Sequence, residues 1–238
     1  MLKKIARIMG YSLQKLRRSE DEGDVLYSAL KLTHPALALD CGANKGAFSQ
    51  DLRNAGYTGP IWCFEPNRSC IQILNDMAKQ DSSLRVFPLG TGSAEQKLEL
   101  QVAGSDGNMG SLLPQTALMA ERFRSAHVRE KYEVSVRRLD EILDSEGIGR
   151  SESIFLKMDT QGFDCETFKG LGDRVNQVVA VKTELSVRQI YEGAPPHWEM
   201  LDLLRQHDFE PMLFSTISRD FNGRMIEYDA LFVKTGGG

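Results

Sequence analysis

Short apolar runs alternate along the chain with segments in which apolar residues recur every three to four positions. The runs have the length of strands, and their unbroken apolar character is typical of strands buried on both faces. The segments between them have the spacing of amphipathic helices. This alternation predicts βαβ units, and therefore a mainly parallel sheet with helices on both sides. The predicted strands lie in PALALD, PIWCFE, LRVFPLG, SIFLKMD and QVVAVKTEL.

The C-terminal part has a different pattern. Two strand-like runs, FEPMLFSTI and YDALFVK, are joined through SRDFNGRMIE. The Asn222-Gly223 pair in this connection favours a tight hairpin, because both residue types tolerate a positive φ. We therefore expect the sheet to end in antiparallel strands.

Between residues 91 and 138 the alternation is interrupted. This segment contains KLELQV, a glycine-rich AGSDGNMGS, a helical PQTALMAERFRSAH and a strand-like YEVSVRRL. It has too few apolar residues for a core of its own. We therefore interpret it as an insertion in one domain spanning residues 31–238, placed where it can shape a substrate pocket.

Residues 1–30 form a predicted N-terminal extension that is basic, amphipathic and helical. Its apolar residues follow helical spacing, while most of its Lys and Arg fall elsewhere. This pattern predicts a helix that packs on the domain or on a second subunit. A helix lying on a membrane surface is the alternative.

Composition restricts the class of protein. The apolar fraction of 41% and the charged fraction of 26% are ordinary for a globular protein. The net charge of −4 gives no basis for binding nucleic acid, which requires clustered Lys and Arg. The four cysteines show no CxxC spacing, which indicates reduced thiols and a cytoplasmic location.

The stretch LALDCGANKGAFSQDL combines a strand, a glycine-containing turn and a helix start. Asp40, Gly42 and Gly46 give the spacing D-x-G-x-x-x-G, and Asn44 stands where a dinucleotide-binding turn needs glycine. Glu65 ends the next strand about 20 residues further on, where an acid accepts hydrogen bonds from ribose hydroxyls. These features favour S-adenosylmethionine over NAD. The alternative is a purely structural turn followed by a solvated strand end.

Four motifs in order then resemble a known family. LALDCGANKGAFS, CFEPN, LKMDTQGFDCETFKGL and VKTEL, with VRRLDEIL ahead of the third, are similar to the FkbM family of S-adenosylmethionine-dependent methyltransferases over about residues 36–233. The resemblance implies a class I methyltransferase (Rossmann-like) α/β fold, with a sheet that is parallel except for one antiparallel strand near the end. It also implies O-methylation, most often of sugar hydroxyls. The chain departs from the family at Gln161, where an acid is common.

By the same resemblance, Asp40, Gly42, Asn44 and Gly46 line the methionine end of the cofactor, and Glu65 holds its ribose. The predicted cofactor-binding residues lie in this turn and at the ends of the following strands. They are Asp40, Gly42, Ala43, Asn44, Gly46, Phe48, Glu65, Pro66, Asn67, Gly90, Thr91 and Asp159.

A protonated hydroxyl is a poor nucleophile, so the site needs a general base or a metal ion. Asp159 and Glu184 end successive strands, at the edge where open α/β sheets bind ligands. Each follows a lysine by two residues, which places Lys157 on the side of Asp159 and Lys182 on the side of Glu184. Two interpretations follow: ion pairs at the sheet edge, or a Mg²⁺ site with Asp159 and Glu184 as ligands.

Histidine is the other candidate base. His127 at the end of the insertion helix and His197 near a late helix are the better placed, although each also suits a surface or capping position. Ser111, Tyr191 and Trp198 are candidate sugar contacts, and the two aromatic residues suit packing equally well.

The sequence therefore predicts an S-adenosylmethionine-dependent O-methyltransferase that acts on a hydroxyl of a sugar or glycoconjugate. The acceptor is a small molecule or a glycan, with oligomerisation left open. The alternatives are an NAD-dependent oxidoreductase and a non-catalytic S-adenosylmethionine-binding module that serves a partner subunit.

Overall fold

The computed structural model describes residues 22–104, 109–122 and 127–235. The basic helix predicted for the first twenty residues, and its contact with a membrane or a second subunit, lie outside this range and remain predictions.

Eleven strands and seven α-helices are present in the described residues. The strands are β1 (Leu37–Cys41), β2 (Ile61–Phe64), β3 (Leu84–Phe87), β4 (Gly90–Thr91), β5 (Gln96–Ala103), β6 (Met109–Ser111), β7 (Val128–Arg137), β8 (Ile154–Met158), β9 (Val178–Ser186), β10 (Phe209–Arg219) and β11 (Met225–Lys234). The α-helices are α1 (Glu22–Thr33), α2 (Ala47–Asn54), α3 (Arg68–Gln80), α4 (Ala117–Arg122), α5 (Leu139–Ser145), α6 (Asp164–Lys169) and α7 (His197–Gln206). A 3₁₀ helix covers Gly172–Gln177.

The central sheet has seven strands in the order β3-β2-β1-β8-β9-β11-β10. Strand β11 runs antiparallel to both of its neighbours, and the other pairs are parallel. The predicted hairpin is present, but residues 220–224 connect β10 to β11, and Gly223 has φ +79° whereas Asn222 has no positive φ. The predicted class I topology, mainly parallel with an antiparallel strand near the C-terminus, is confirmed.

Helices cover both faces of the central sheet. Apolar residues of α1, α2 and α3 pack on one face, and those of α5, α6 and α7 pack on the other. Strands β1 and β8 are buried at every position, which explains their unbroken apolar sequence. Within the described part of the chain, no helix combines the length and apolar character needed to cross a membrane. All four cysteines are buried free thiols.

The segment predicted as an insertion forms most of a second, four-stranded sheet in the order β4-β7-β5-β6. A small apolar cluster of Leu100, Val102 and Val134 stabilises this sheet. The described helix α4 ends at Arg122, and His127 is the residue immediately before the start of β7. His127 is therefore not part of a described helix, contrary to the prediction.

Candidate functional site

The turn between β1 and α2 is held tightly against the ends of two neighbouring strands. The amides of Gly42 and Ala43 donate to the carbonyl of Phe64, at 2.9 and 3.1 Å. Gly42 has φ +73°, and a Cβ at this position would lie 2.0 Å from the carbonyl oxygen of Asp159. Only glycine fits this close approach of two backbones. The turn therefore brings its amides to the same sheet edge as Asp159.

Glu65 follows β2 and is anchored by the same turn. Its Oε2 accepts from the amide of Asn44 at 2.7 Å, and its Oε1 accepts from the amide of Asn67 at 2.8 Å. Burial raises the pKa of Glu65 to about 7, although both amides act to lower it. Each carboxylate oxygen retains a second lone pair. The carboxylate is therefore oriented to accept two further hydrogen bonds, as a ribose would supply.

A first cavity opens beside Glu65 and encloses about 580 Å³, part of it open to solvent. Its wall includes eight predicted cofactor-binding residues, namely Gly42, Asn44, Glu65, Pro66, Asn67, Gly90, Thr91 and Asp159. It also includes residues that the sequence analysis missed, namely Phe64, Cys70, Leu100, Gly110, Leu112, Thr160 and Gln161. Leu100 and Gly110 lie in strands of the second sheet, and Leu112 directly follows β6. No sequence signal marked them, because only the folded second sheet brings them to the turn.

Four predicted cofactor-binding residues do not line the first cavity. Asp40 is fully buried beside Lys157, and Ala43 is 3% exposed. Gly46 caps α2 at φ +83° and lies against Met77, while the Phe48 ring packs on the Phe155 ring in the core at a tilt of 41°. These four residues support the turn and the start of α2 from within the protein, and their contact with a cofactor remains a prediction.

Lys157 is the buried cation of the site and contacts two acids. Its Nζ donates to the carbonyl of Gly42 at 2.8 Å and lies 3.1 Å from Asp40 Oδ1 and 3.7 Å from Asp159 Oδ2. The predicted Lys157–Asp159 pair is thus present, but the shorter contact is to Asp40. Lys182 and Glu184 lie two residues apart in β9, as expected, but the expected ion pair between them is not observed, because Lys182 pairs with Asp229 of β11 at 2.5 Å.

Gln161 joins the two candidate catalytic acids. Its Nε2 donates to Asp159 Oδ1 at 2.7 Å and to Glu184 Oε2 at 3.0 Å. Tyr191 donates its hydroxyl proton to Gln161 Oε1 at 2.6 Å. Gln161 has φ +54°, and its carbonyl accepts from Ser111 Oγ of the second sheet at 2.8 Å. The sequence marked Gln161 only as a departure from the family, whereas the structure makes it the link between Asp159 and Glu184.

The two acids have opposite protonation preferences. Burial opposes charge on Asp159, but the nearby Lys157 and hydrogen bonds from Glu184 and Gln161 lower its pKa. Burial and the charge of Asp159 raise the pKa of Glu184 well above its ordinary value. A carboxylate at Asp159 beside a protonated Glu184 follows from these shifts.

The predicted Mg²⁺ site does not fit this arrangement. The Gln161 amide nitrogen occupies the position between the two carboxyl groups, and Lys157 adds a positive charge beside Asp159. Among residues 22–104, 109–122 and 127–235, no three His, Cys, Asp or Glu side chains are grouped to hold a metal ion. Mg²⁺ binds through one or two carboxylates and several waters, and here Gln161 and Lys157 already contact the carboxyl oxygens that it would need.

The two candidate histidines have different surroundings. His197 begins α7, and its Nδ1 lies 2.9 Å from the Tyr228 hydroxyl. It lines a second cavity together with Gln161 and Glu184. His127 is exposed and does not line either of these cavities. The structure thus brings His197, but not His127, to the acids.

The chain is similar to known methyltransferases. A model of the methyltransferase FkbM domain matches residues 40–211. The 2-O-methyltransferase NoeI of Sinorhizobium fredii is 23% identical over 185 residues, which cover 75% of this chain and 74% of the relative.

Two solved structures are similar at low sequence identity. An rRNA methylase from Streptococcus thermophilus has a TM-score of 0.49 at 9% identity, over 94% of this chain and 100% of its own. A putative caffeoyl-CoA O-methyltransferase from Staphylococcus aureus has a TM-score of 0.48 at 10% identity, over 98% of this chain and 90% of its own.

The family match extends from the end of β1 into β10 and includes the glycine turn, Glu65, Asp159 and Glu184. The chain therefore belongs to the FkbM methyltransferase family, and it is an S-adenosylmethionine-dependent methyltransferase.

Proposed function

We propose that the enzyme transfers the methyl group to a hydroxyl of a sugar or glycoconjugate. The observation that carries the proposal is the position of Asp159, whose carboxyl group lies in the wall of the first cavity, 3.7 Å from Lys157, and is linked through Gln161 to Glu184 in the second. NoeI, a relative named as a 2-O-methyltransferase, supports an oxygen acceptor.

The residues of the first cavity fit S-adenosylmethionine. Glu65 presents two oriented oxygens to the ribose hydroxyls, and Phe64, Leu100 and Leu112 offer apolar surface to the adenine. There is no Lys or Arg among the described residues lining this cavity, so a pyrophosphate would find no cationic partner. S-adenosylmethionine carries no phosphate, and a carboxylate at Asp159 would favour its positive sulfonium.

The oxidoreductase alternative is wrong, because the chain belongs to a methyltransferase family. When bound, S-adenosylmethionine supplies an electrophilic methyl group, whose bond electrons remain with sulfur after transfer. Asp159 accepts the proton of the acceptor hydroxyl while the oxygen forms its bond to carbon. Gln161 keeps Asp159 oriented by donating to it, and Glu184 holds its own proton.

A cytoplasmic location and an acceptor other than nucleic acid remain part of the proposal. The four buried free thiols and the net charge of −4 support them.

The direct test is transfer of a labelled methyl group from S-adenosylmethionine to a panel of glycans and methyl glycosides, with the position found by NMR. We expect an O-methyl product with at least one hydroxylated ring. Tight S-adenosylhomocysteine binding without transfer to any acceptor would instead support the non-catalytic alternative.

A further inference from the structure

A second cavity lies next to the first and shares Gln161 with it; it is a solvent-open cleft whose space, including the part open to solvent, is about 450 Å³. It is formed by the turn after β8, the end of β9, the segment before α7 and β11. The polar residues in its wall are Gln161, Asp164, Ser186, Glu184, Tyr191, His197 and Glu227. Gln161 lines both cavities and donates to Asp159 in the wall of the first and to Glu184 in the wall of the second, so it couples the two sites.

The wall of the second cavity carries three carboxyl groups and one imidazole. There is no Lys or Arg among the described residues that form it. Asp164 and Glu227 are each 7% exposed, so their charges are poorly hydrated. Burial raises the pKa of Asp164 to about 6 and also raises that of Glu227. The cavity is therefore rich in hydrogen-bond acceptors, and binding of a further negative charge there is energetically unfavourable.

These carboxyl groups have capacity for a ligand. Asp164 receives its described hydrogen bonds at Oδ1, from the amide and hydroxyl of Thr160 at 2.9 and 2.7 Å. Glu227 receives one at Oε2, from Ser218 Oγ at 3.0 Å. Each carboxyl group has a second oxygen that can accept from a hydroxyl or an amine.

Aromatic rings adjoin the cavity at His197. The Trp198 ring lies 5.5 Å from the His197 ring, and Trp198 is 58% exposed. Tyr228 lies 5.7 Å from His197, and Phe214, which is 55% exposed, lies 5.8 Å from Tyr228. An exposed aromatic face beside a polar cavity suits a ring that is apolar on its flat side and polar at its rim, as a pyranose is.

We propose that the second cavity is the acceptor site and that it selects by charge, taking a hydroxylated ring that is neutral or carries an amine and rejecting one that carries a carboxylate, sulfate or phosphate. This proposal rests on the proposed function for the identity of the ligand. Asp164 and Glu227 accept hydrogen bonds from hydroxyls or an ammonium group, whereas an anion beside them meets like charge or requires them to take up a proton in a poorly hydrated space. Trp198 supplies the surface on which the ring rests.

The test compares three probes with one ring, namely methyl glucoside, methyl glucosaminide and methyl glucuronide. Binding to the S-adenosylhomocysteine complex is measured by calorimetry, and transfer is measured with labelled S-adenosylmethionine. We expect the neutral and amine-bearing probes to bind about tenfold or more tightly than the uronide. A uronide that binds as well as the other two would overturn the proposal.

Three variants test which residues of the second cavity cause the charge selectivity. Glu227→Gln retains an oxygen that can accept from Ser218. We expect this variant to reduce the ratio between the Kd of the uronide and the Kd of the amine-bearing probe. Trp198→Ala should weaken binding of all three probes by a similar factor. Asp202→Asn is the control, since Asp202 is exposed on α7 and pairs with Arg205. Selectivity that persists unchanged in Glu227→Gln would contradict the assignment of the cavity.

The two proposals fail in different ways. Charge-selective binding without transfer would support the binding site and overturn the proposed function. Methyl transfer without a preference for probe charge would support the proposed function and overturn the charge selectivity. Binding of none of the probes would also overturn the charge selectivity.

Discussion

At the scale of single residues, the proton balance of the site depends on Asp159. Lys157 and Gln161 favour the ionised form of Asp159. Only this ionised form can accept the proton of the acceptor hydroxyl. We expect Asp159→Asn to lower kcat by about 10²- to 10⁴-fold, with little change in the Kd of S-adenosylhomocysteine. Steady-state kinetics and calorimetry on the same preparation measure both quantities.

The matched control for this change is Asp202→Asn, an exposed acid of α7 outside both cavities. Its kcat should equal that of the unchanged protein. Full turnover in Asp159→Asn would remove Asp159 from the role of base and would leave His197 as the next candidate.

Glu65 predicts a pH dependence of cofactor binding. Its pKa of about 7 in the ligand-free protein means that acidification protonates the group that accepts from the ribose. Affinity should therefore fall as pH decreases through 7, by about tenfold between pH 8 and pH 6. Calorimetric titration with S-adenosylhomocysteine across this range tests it. Glu65→Gln should bind more weakly and lose most of the dependence, and a profile shared by both proteins would point to another titrating group.

The position of Gln161 predicts that activity needs no added metal. Its amide nitrogen lies between Asp159 and Glu184, where a bridging cation would sit. We expect dialysis against EDTA to leave kcat unchanged, and added Mg²⁺ to have no effect. Loss of activity in EDTA that Mg²⁺ restores would return Asp159 and Glu184 to the role of metal ligands.

At the scale of elements, the turn between β1 and α2 depends on Gly42. An alanine there combines a left-handed backbone with a Cβ placed 2.0 Å from the carbonyl of Asp159. Gly147 also has a left-handed backbone, at φ +74°, but no atom lies within 4 Å of a Cβ built there. An alanine at Gly147 therefore measures the effect of the backbone alone. We expect Gly147→Ala to cost about 1 kcal/mol in the free energy of unfolding, and Gly42→Ala at least about 3 kcal/mol. Urea denaturation measures both, and equal losses would mean that the close approach relaxes without cost.

The central strands could be predicted because each is a short apolar run, and burial on both faces requires that pattern in any parallel sheet. The second sheet was harder to predict. Strand β6 has only three residues and pairs with β5 across a glycine-rich segment, so it has no hydrophobic periodicity of its own. The contact of Leu100 and Leu112 with the first cavity had no local signal either, since it depends on how the second sheet packs.

At the scale of the whole molecule, ligand binding should stabilise both sheets together. The first cavity is walled by Gly42 and Glu65 from one sheet and by Leu100 and Gly110 from the other. S-adenosylhomocysteine at about 100 times its Kd should add about 2.7 kcal/mol, which raises Tm by about 5 to 10 °C for a chain of this size. Thermal melts with S-adenosylhomocysteine and with NAD measure this. The expected shift occurs with the first ligand only and is reduced in Glu65→Ala, and an equal shift with NAD would contradict the fit of the cavity.

The sequence by itself determined the order of strands and helices, the glycine turn, the acid that follows β2 and the family. These features are encoded locally. Hydrophobic periodicity gives the strands and helices, the glycines mark a turn with positive φ, and the acid marks a ribose-binding position. Only the tertiary structure decided which side chains meet. Lys157 contacts Asp40 more closely than Asp159, Lys182 faces Asp229, and Gln161 connects the acids, because strand register and the packing of the second sheet set those distances.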